Sequence, residues 1–585
     1  MNPSLSRYLV LLLALLSAAS VWAETKDSKE LAAISDKFWQ WKLHDDLDLR
    51  MKRGLKIEAL PDISFHKAQA DAALATSLLS SLQHINWSTL GPVDRATYGV
   101  LDFEFRNIAD GARFYWLRFQ VTPYTSPIPV AMRVFTSYRF GGADDLASYL
   151  ALLRKYPDFL AEIHANLEEQ AGLGIRLPKA EIALVRDFLS SYIKPPDRSL
   201  LYVSADRLTA VSAEQRSRFQ QQVAAVVQEQ INPQWQLLIN ALGGNYLARA
   251  PDTVGLWQYP GGKRFYEYLV KFHTTLDMSP AEVHRIGLAV VADTEAKMEK
   301  VRARLGYANR REEFAHFIKT DPRFFPQTPQ QMADKMAAAI ARIEPKLSSM
   351  FSHLPSAPYG IERLPASLEG AQTFGIYHQP SATEPRGIYY FNGSDLKHRT
   401  LINADALIYH ELLPGHHLQF GLQREDQSLP EFRRYGYYAA YSEGWGCYAT
   451  TLADQLGLYK DVYDYYGYLA MNQFYSVRLV VDTGMNYFGW SRARASRFMR
   501  DHLIETDAQI STETLRYSVD YPGQALSYRI GEQEFERLRD RARKAMGAHF
   551  DIRQFHNWVL APASVPLSVL ENYVDGQIRR TSGAH

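Results

Sequence analysis

The chain has 585 residues, 46% hydrophobic and 22% charged, the balance of an ordinary globular protein with room for more than one compact lobe. Its 65 basic residues against 64 acidic ones leave a formal charge of +1, which excludes the basic footprint of a nucleic-acid binder. The single cysteine, Cys447, excludes an intrachain disulfide and lies too far along the chain to carry a lipid at a cleaved N-terminus, so a large packed core must hold the fold.

The first 23 residues read as a signal segment. Arg7 supplies the positive start, Tyr8–Leu16 the apolar stretch and Val21-Trp22-Ala23 the small-residue cleavage site, with Glu24 following. The apolar run is too short to span a bilayer. A periplasmic or secreted protein cleaved after Ala23, with no stable membrane anchor after cleavage, is expected.

Beyond that segment, apolar residues recur mainly at spacings of three and four, which predicts a mainly helical fold. The strongest helices are Asp145–Ala171, Lys179–Ile193, Ser212–Ala241, Pro280–Leu305, Pro329–Ser349 and Tyr437–Gly457. Ser279-Pro280 and Thr328-Pro329 each set a capping side chain before a proline at the first helical position. The proline-rich break at Asp321–Pro329 separates an N-terminal helical lobe, 24–325, from a catalytic lobe, 326–585, unless the two form one continuous domain.

Three short β-branched and aromatic runs interrupt the helical pattern: Tyr359–Leu364, Thr373–His378 and Gly387–Asn392. Clusters of Pro, Gly and Ser separate them, which predicts a small antiparallel sheet. Such a sheet either braces the next helix or offers an edge to which an extended peptide adds as a strand.

The segment His410-Glu411-Leu412-Leu413-Pro414-Gly415-His416-His417-Leu418-Gln419 follows directly. Imidazoles are good zinc ligands, and a glutamate beside a ligating histidine is where zinc hydrolases keep their general base. Pro414 stands where a continuous helix would carry the second ligand of an HExxH motif, so the helix is expected to bulge and return a later histidine to the metal. At about 100° per residue His416 lies about 240° from His410 and His417 about 340°, but His417 is also about 10 Å further along the axis. Geometry alone leaves the two open as ligands beside His410. The third ligand is expected from Glu443, the only acid between Glu431 and Asp454, in the apolar string Tyr441-Ser442-Glu443-Gly444-Trp445-Gly446. A buried carboxylate there needs a cation, and Gly444 and Gly446 would let its helix approach closely. Glu411 then becomes the general base, and one Zn2+ ion the cofactor. No Gly-x-Ser-x-Gly or phosphate loop competes with this chemistry.

The HExxPGHHxQ segment, the SEGW string, Arg478–Gly484 (RLVVDTG), Gly489-Trp490-Ser491-Arg492 and Tyr521–Gly531 (YPGQALSYRIG) together resemble the bacterial family called domain of unknown function 885, over nearly the whole mature chain. That family is grouped with the Glu-zincin metallopeptidases. The resemblance implies a zincin-like helical fold with a deep central channel and zinc-dependent cleavage of short peptides. Dipeptidyl peptidases with HELLGH tolerate an extra residue between their histidines, and matching their Gly-His to Gly415-His416 favours His416 over His417. Leu515-Arg516-Tyr517 is similar to the Arg-Tyr step of angiotensin-converting peptidases, which nominates Tyr517 to stabilise the oxyanion, with Tyr528 in reserve. Gln524 and Arg529 are candidates for holding a substrate terminus, and Arg386, Tyr389, Tyr390 and Asn392 for contacting substrate main chain. Asp482 is a candidate to orient a ligand imidazole from behind. One departure stands out: family members usually carry a histidine where this chain has Asn486. Two other readings compete, a zinc-dependent amidase or esterase on a non-peptide substrate, and a peptide-binding pseudo-enzyme with weakened catalysis.

Overall fold

The computed structural model describes residues 25–369, 375–381 and 384–582; the signal segment lies outside them. Among the described residues no helix is long and apolar enough to cross a membrane. The fold is mainly helical, and its long helices begin where their capping residues stand. Helix α1 (Pro280–Arg304) starts at Ser279, whose side chain accepts from the backbone N–H of Glu282, and Pro329–Ile343 starts at Thr328 in the same way. The predicted helix Ser212–Ala241 is capped at Ser212 by a reciprocal pair with Gln215, but is divided by a π-helical turn at Val227–Ile231.

The site is carried by α1 and six later helices: α2 (Ala404–Glu411), α3 (His416–Glu425), α4 (Ala439–Gln455), α5 (Val462–Asn486), α6 (Asp507–Leu515) and α7 (Ser527–Met546). Helix α5 packs along α1, and α4 along α7. Small residues set the second approach: a Cβ on Gly444 would fall 2.5 Å from the Gly531 backbone, and one on Gly531 would fall 1.9 Å from the Ala440 carbonyl.

Among the described residues the three strands form where expected, Thr373 and Phe374 of the second lying outside them, but the sheet is mixed rather than wholly antiparallel. β3 (Gly387–Phe391) lies in the middle, parallel to β1 (Tyr359–Arg363) and antiparallel to β2 (Gly375–His378). Strand composition reveals extended segments but not their direction, which follows from how the connections run.

The sequence break at 325 does not coincide with a break in packing. One large apolar cluster joins Leu31, Phe38 and Phe105 to Ile408, Trp445 and Phe535, and a second joins Phe135 and Trp235 to Leu479 and Leu526. Both cores draw on residues from each side of that position.

Candidate metal centre

Helix α2 ends at Glu411 because Pro414 has no N–H to continue the ladder. The chain does not bulge, as expected, but breaks and restarts: it turns through Leu412–Gly415, with a cis Leu413–Pro414 peptide, and α3 begins at His416. Only glycine fits at 415, since a Cβ would fall 1.8 Å from the His410 carbonyl oxygen. Trp445 reaches into the break: its indole N–H donates to the oxygens of Pro414 at 2.9 Å and Gly415 at 3.2 Å. The residue between the two glycines of α4 thus locks the turn that carries the histidines.

The break returns His416 to His410, with ring centroids 4.7 Å apart and planes nearly perpendicular. Both face Glu443 of α4: its Oε2 lies 3.3 Å from Nε2 of His410 and 3.5 Å from Nε2 of His416. One potential ligand atom from each of the three residues lies within 4.8 Å of the others. Gly446 provides the room, because a Cβ there would meet the His410 ring at 2.6 Å. Gly446 therefore admits α2 as expected, whereas Gly444 faces α7.

Nδ1 of His410 and Nδ1 of His416 are buried with no hydrogen-bond partner among the described residues. Burial works against the Glu443 carboxylate, but hydrogen bonds from His410 and His416 outweigh it and hold its pKa well below the usual range. For His416 burial disfavours the charged form, and Glu443 more than offsets this, raising its pKa. Two imidazoles and a strongly ionised carboxylate fit a divalent transition metal of the zinc kind.

Glu411 shares the cavity with these groups and makes no side-chain hydrogen bond among the described residues. Burial lifts its pKa, and the Glu443 charge adds to the rise while His416 and His410 oppose it. The cavity is a channel of about 1550 Å³. Edge strand β2 lines it, as do His410, His416, Glu443 and Tyr528.

His417 is not a third imidazole at the centre. Its Nδ1 meets the Tyr377 hydroxyl at 3.0 Å and its Nε2 the Ala357 carbonyl at 3.0 Å, so it ties the sheet to α3. Tyr517 is also displaced from its expected role. Its phenol is fully buried, accepts from Arg478 Nε at 2.8 Å and donates to Glu513, and it does not line the channel. Tyr528 does line it, with its ring stacked 6.3 Å from His410. Burial, then the Glu443 charge, push its phenol up to about 12, so it remains a donor.

The expected substrate contacts fare unevenly. Arg529 is paired with Glu532 at 2.5 Å, one helical turn on, and Gln524 accepts from Arg516 at 2.7 Å; neither lines the channel. Tyr390 packs on His378, ring centroids 5.1 Å apart, and Arg386 is paired with Glu384 and Glu362, so both lie off the channel. Tyr389 is buried in the core. Asn392 reaches the channel wall, but its amide donates to the Glu369 carbonyl at 2.6 Å and accepts from the Ser394 N–H at 2.9 Å. Asp482 touches neither imidazole: it accepts from Tyr266 at 2.7 Å, from the Gly523 N–H and from Asn486. Asn486 in turn donates to the Tyr517 carbonyl at 2.8 Å and accepts from the Leu256 N–H at 3.1 Å, a wholly internal set of contacts.

Two residues at the site escaped the sequence reading. Tyr437, just before α4, donates to Glu443 Oε1 at 2.9 Å. Tyr475 of α5 packs beside both His410 and Tyr528, with centroids 6.1 and 5.0 Å away. The signal for Tyr437 was its place six residues ahead of the candidate ligand Glu443; Tyr475 had none in a chain with 35 tyrosines.

A largely helical fold around a channel, with two histidines and a glutamate facing one another beside a half-buried glutamate, defines the class of protein. The chain belongs to a bacterial protein family of unknown function (DUF885), whose model matches residues 49–574. It is similar in fold to a candidate lipoprotein from Colwellia psychrerythraea, with a TM-score of 0.87 and 24% identity over 95% of this chain and 100% of that one. A candidate lipoprotein of unknown function from Shewanella oneidensis has a TM-score of 0.70 and 16% identity, covering 94% of this chain and 99% of that one. No curated protein matches.

Proposed function

We propose that this protein is an exported zinc metallopeptidase of the Glu-zincin kind that hydrolyses short peptides. The observation that carries the reading is the approach of His410, His416 and Glu443 to within 4.8 Å, with the unpaired Glu411 beside them in a channel. His410, His416 and Glu443 would hold the ion, and zinc there supplies Lewis acidity toward a carbonyl and toward water.

The protein's own groups account for the rest. Glu411 accepts a proton from the attacking water, and its raised pKa suits it to pass that proton to the leaving amine. Tyr528 offers a protonated phenol to the oxyanion that develops on the attacked carbonyl. Strand β2, at the sheet edge and in the channel wall, offers backbone groups to an extended peptide. Asn486 is bound within the core, so the residue that favoured an inactive relative is not positioned to touch substrate.

Export is supported by the signal-like first 23 residues and by the description of both similar structures as lipoproteins. A lipid on cysteine is not part of the proposal, because Cys447 is buried in α4. Digestion of a dipeptide and tripeptide library by the zinc-loaded protein, beside simple esters, tests the reading. Cleavage of esters with peptides left whole would assign an esterase or amidase instead, and recovery of every compound uncut would leave a binding protein.

A further inference from the structure

Beyond the metal centre, two of the arginines that line the channel converge on one carboxylate. Arg478 on α5 and Arg516, just after α6, both line the cavity, and Arg478 is 6% exposed. They share one carboxylate: Glu513 Oε2 lies 3.5 Å from Nη2 of Arg478 and 3.6 Å from Nη1 of Arg516. That carboxylate is further engaged by the Tyr517 hydroxyl and by Gln509 Nε2 at 3.0 Å. Nε of Arg516 is buried with no hydrogen-bond partner, and no partner is found for Nη1 of Arg478 among the described residues.

The other charged groups nearby do not cancel the excess. Lys319 and Glu505 line the same stretch, and burial, with the Glu513 charge, lifts Glu505 to about 7. Asp482 and Asp520, which also feel Arg516, do not line the channel, and burial raises both, Asp482 to about 7. A buried guanidinium pair with one shared counter-charge and free donors is stabilised by a further carboxylate, which it can grip with two parallel bonds.

The position of that pair relative to the metal centre gives it meaning. Tyr475 and Tyr528 stack on each other and both approach His410, at 6.1 and 6.3 Å. On the same two rings lies Arg478, its Cζ 5.5 and 4.8 Å from their centroids. The same two rings thus link the arginine to the imidazole: legs of 4.8 and 6.3 Å set an upper limit of about 11 Å between them, and a guanidinium–carboxylate contact of about 4 Å leaves a span for one or two residues of extended chain at about 3.5 Å each.

We propose that Arg478 and Arg516 form the subsite for the C-terminal carboxylate of the substrate, so that the protein trims peptides from that end by one or two residues. This rests on the peptidase reading and gives it a substrate class. The bond broken is the C–N amide bond one or two residues before the gripped carboxylate. Water supplies the oxygen that joins the acyl carbon, and its proton goes to the leaving amine.

Calorimetric titration of the zinc-loaded Glu411→Gln protein with N-acetyl-Ala-Phe-Ala-Ala, as free acid and as C-terminal amide, tests it without turnover. The acid is expected to bind at least about tenfold more tightly, as one charge-assisted pair requires. Adding Arg478→Gln or Arg516→Gln should abolish the preference; Arg516 serves if the more buried Arg478 variant fails to fold. With Glu411 retained, the same arginine variants should raise KM for the acid more than they lower kcat. Equal binding of acid and amide, or a preference that survives in both arginine variants, would overturn the subsite. Rapid cleavage of the amide at interior bonds would sink it while leaving the peptidase reading intact; tight acid binding with neither peptide ever cut would do the reverse.

Discussion

Tyr437 donates its hydroxyl to Oε1 of Glu443, while both imidazoles approach Oε2 of the same carboxylate. The phenol thus fixes the rotation of the one acidic group in the ligand set. Outer partners of this kind govern metal affinity. Tyr437→Phe keeps the ring and removes only that bond, so zinc affinity should fall by about 10- to 100-fold, measured by competition with a chelator, with an unchanged thermal transition of the metal-free protein.

Glu411, the proposed base, lines the channel and makes no side-chain hydrogen bond among the described residues. Glu411→Gln should retain stoichiometric zinc yet lose about 10²–10⁴-fold in kcat on a peptide that the unaltered protein cuts. Turnover at the original rate would remove Glu411 from the chemistry.

Tyr528 and Tyr517 separate a phenol in the channel from a phenol in the core. Tyr528→Phe should lower kcat by about 10²–10³-fold, the loss associated with one oxyanion donor, with little change in unfolding midpoint. Tyr517→Phe strands Arg478 and Glu513 and should cost about 1–3 kcal/mol in denaturant unfolding. If Tyr517→Phe instead abolishes kcat in a stable protein, the assignment of the two is inverted.

Glu181 is fully buried near Asp520, and burial, then the Asp520 charge, hold its pKa far above the ordinary 4.5. A carboxyl raised in the folded state gives its full stability below the unfolded value and loses it as pH rises toward the folded one. Glu181→Gln does not titrate, so its stability relative to the unaltered protein should improve between about pH 5 and about pH 8, by at most about 1.4 kcal/mol per pH unit. Parallel pH profiles of denaturant midpoints for the two proteins would contradict this.

The cluster of His410, His416 and Glu443 was legible in the sequence because its residues carry unusual local cost. A His-Glu pair ahead of Pro-Gly-His, and a lone acid among Tyr, Trp and Gly, make little sense in a core without a cation. Which histidine returns was not legible from helical phase, because α2 stops and α3 starts afresh after Gly415. Tyr517 and Arg529 misled for a different reason. Tyr and Arg are common, and their partners Glu513 and Glu532 lie four and three residues away in sequence, a local pairing that takes each out of the channel. Arg478 was visible only as part of a string, since nothing in one helix reveals that its guanidinium reaches a wall built by α5, α6 and α7. The same limit hid the parallel pairing of β1 with β3, which depends on a connection and not on composition.

The central claim is that His416, and not His417, joins His410 and Glu443 on one ion. Zinc content of the purified protein, measured by elemental analysis for the unaltered chain beside His416→Ala and His417→Ala, tests it most directly. Stoichiometric zinc in the unaltered protein and in His417→Ala, with loss in a folded His416→Ala, is the predicted result. Zinc retained by His416→Ala, or no zinc taken up by the unaltered protein, would contradict it.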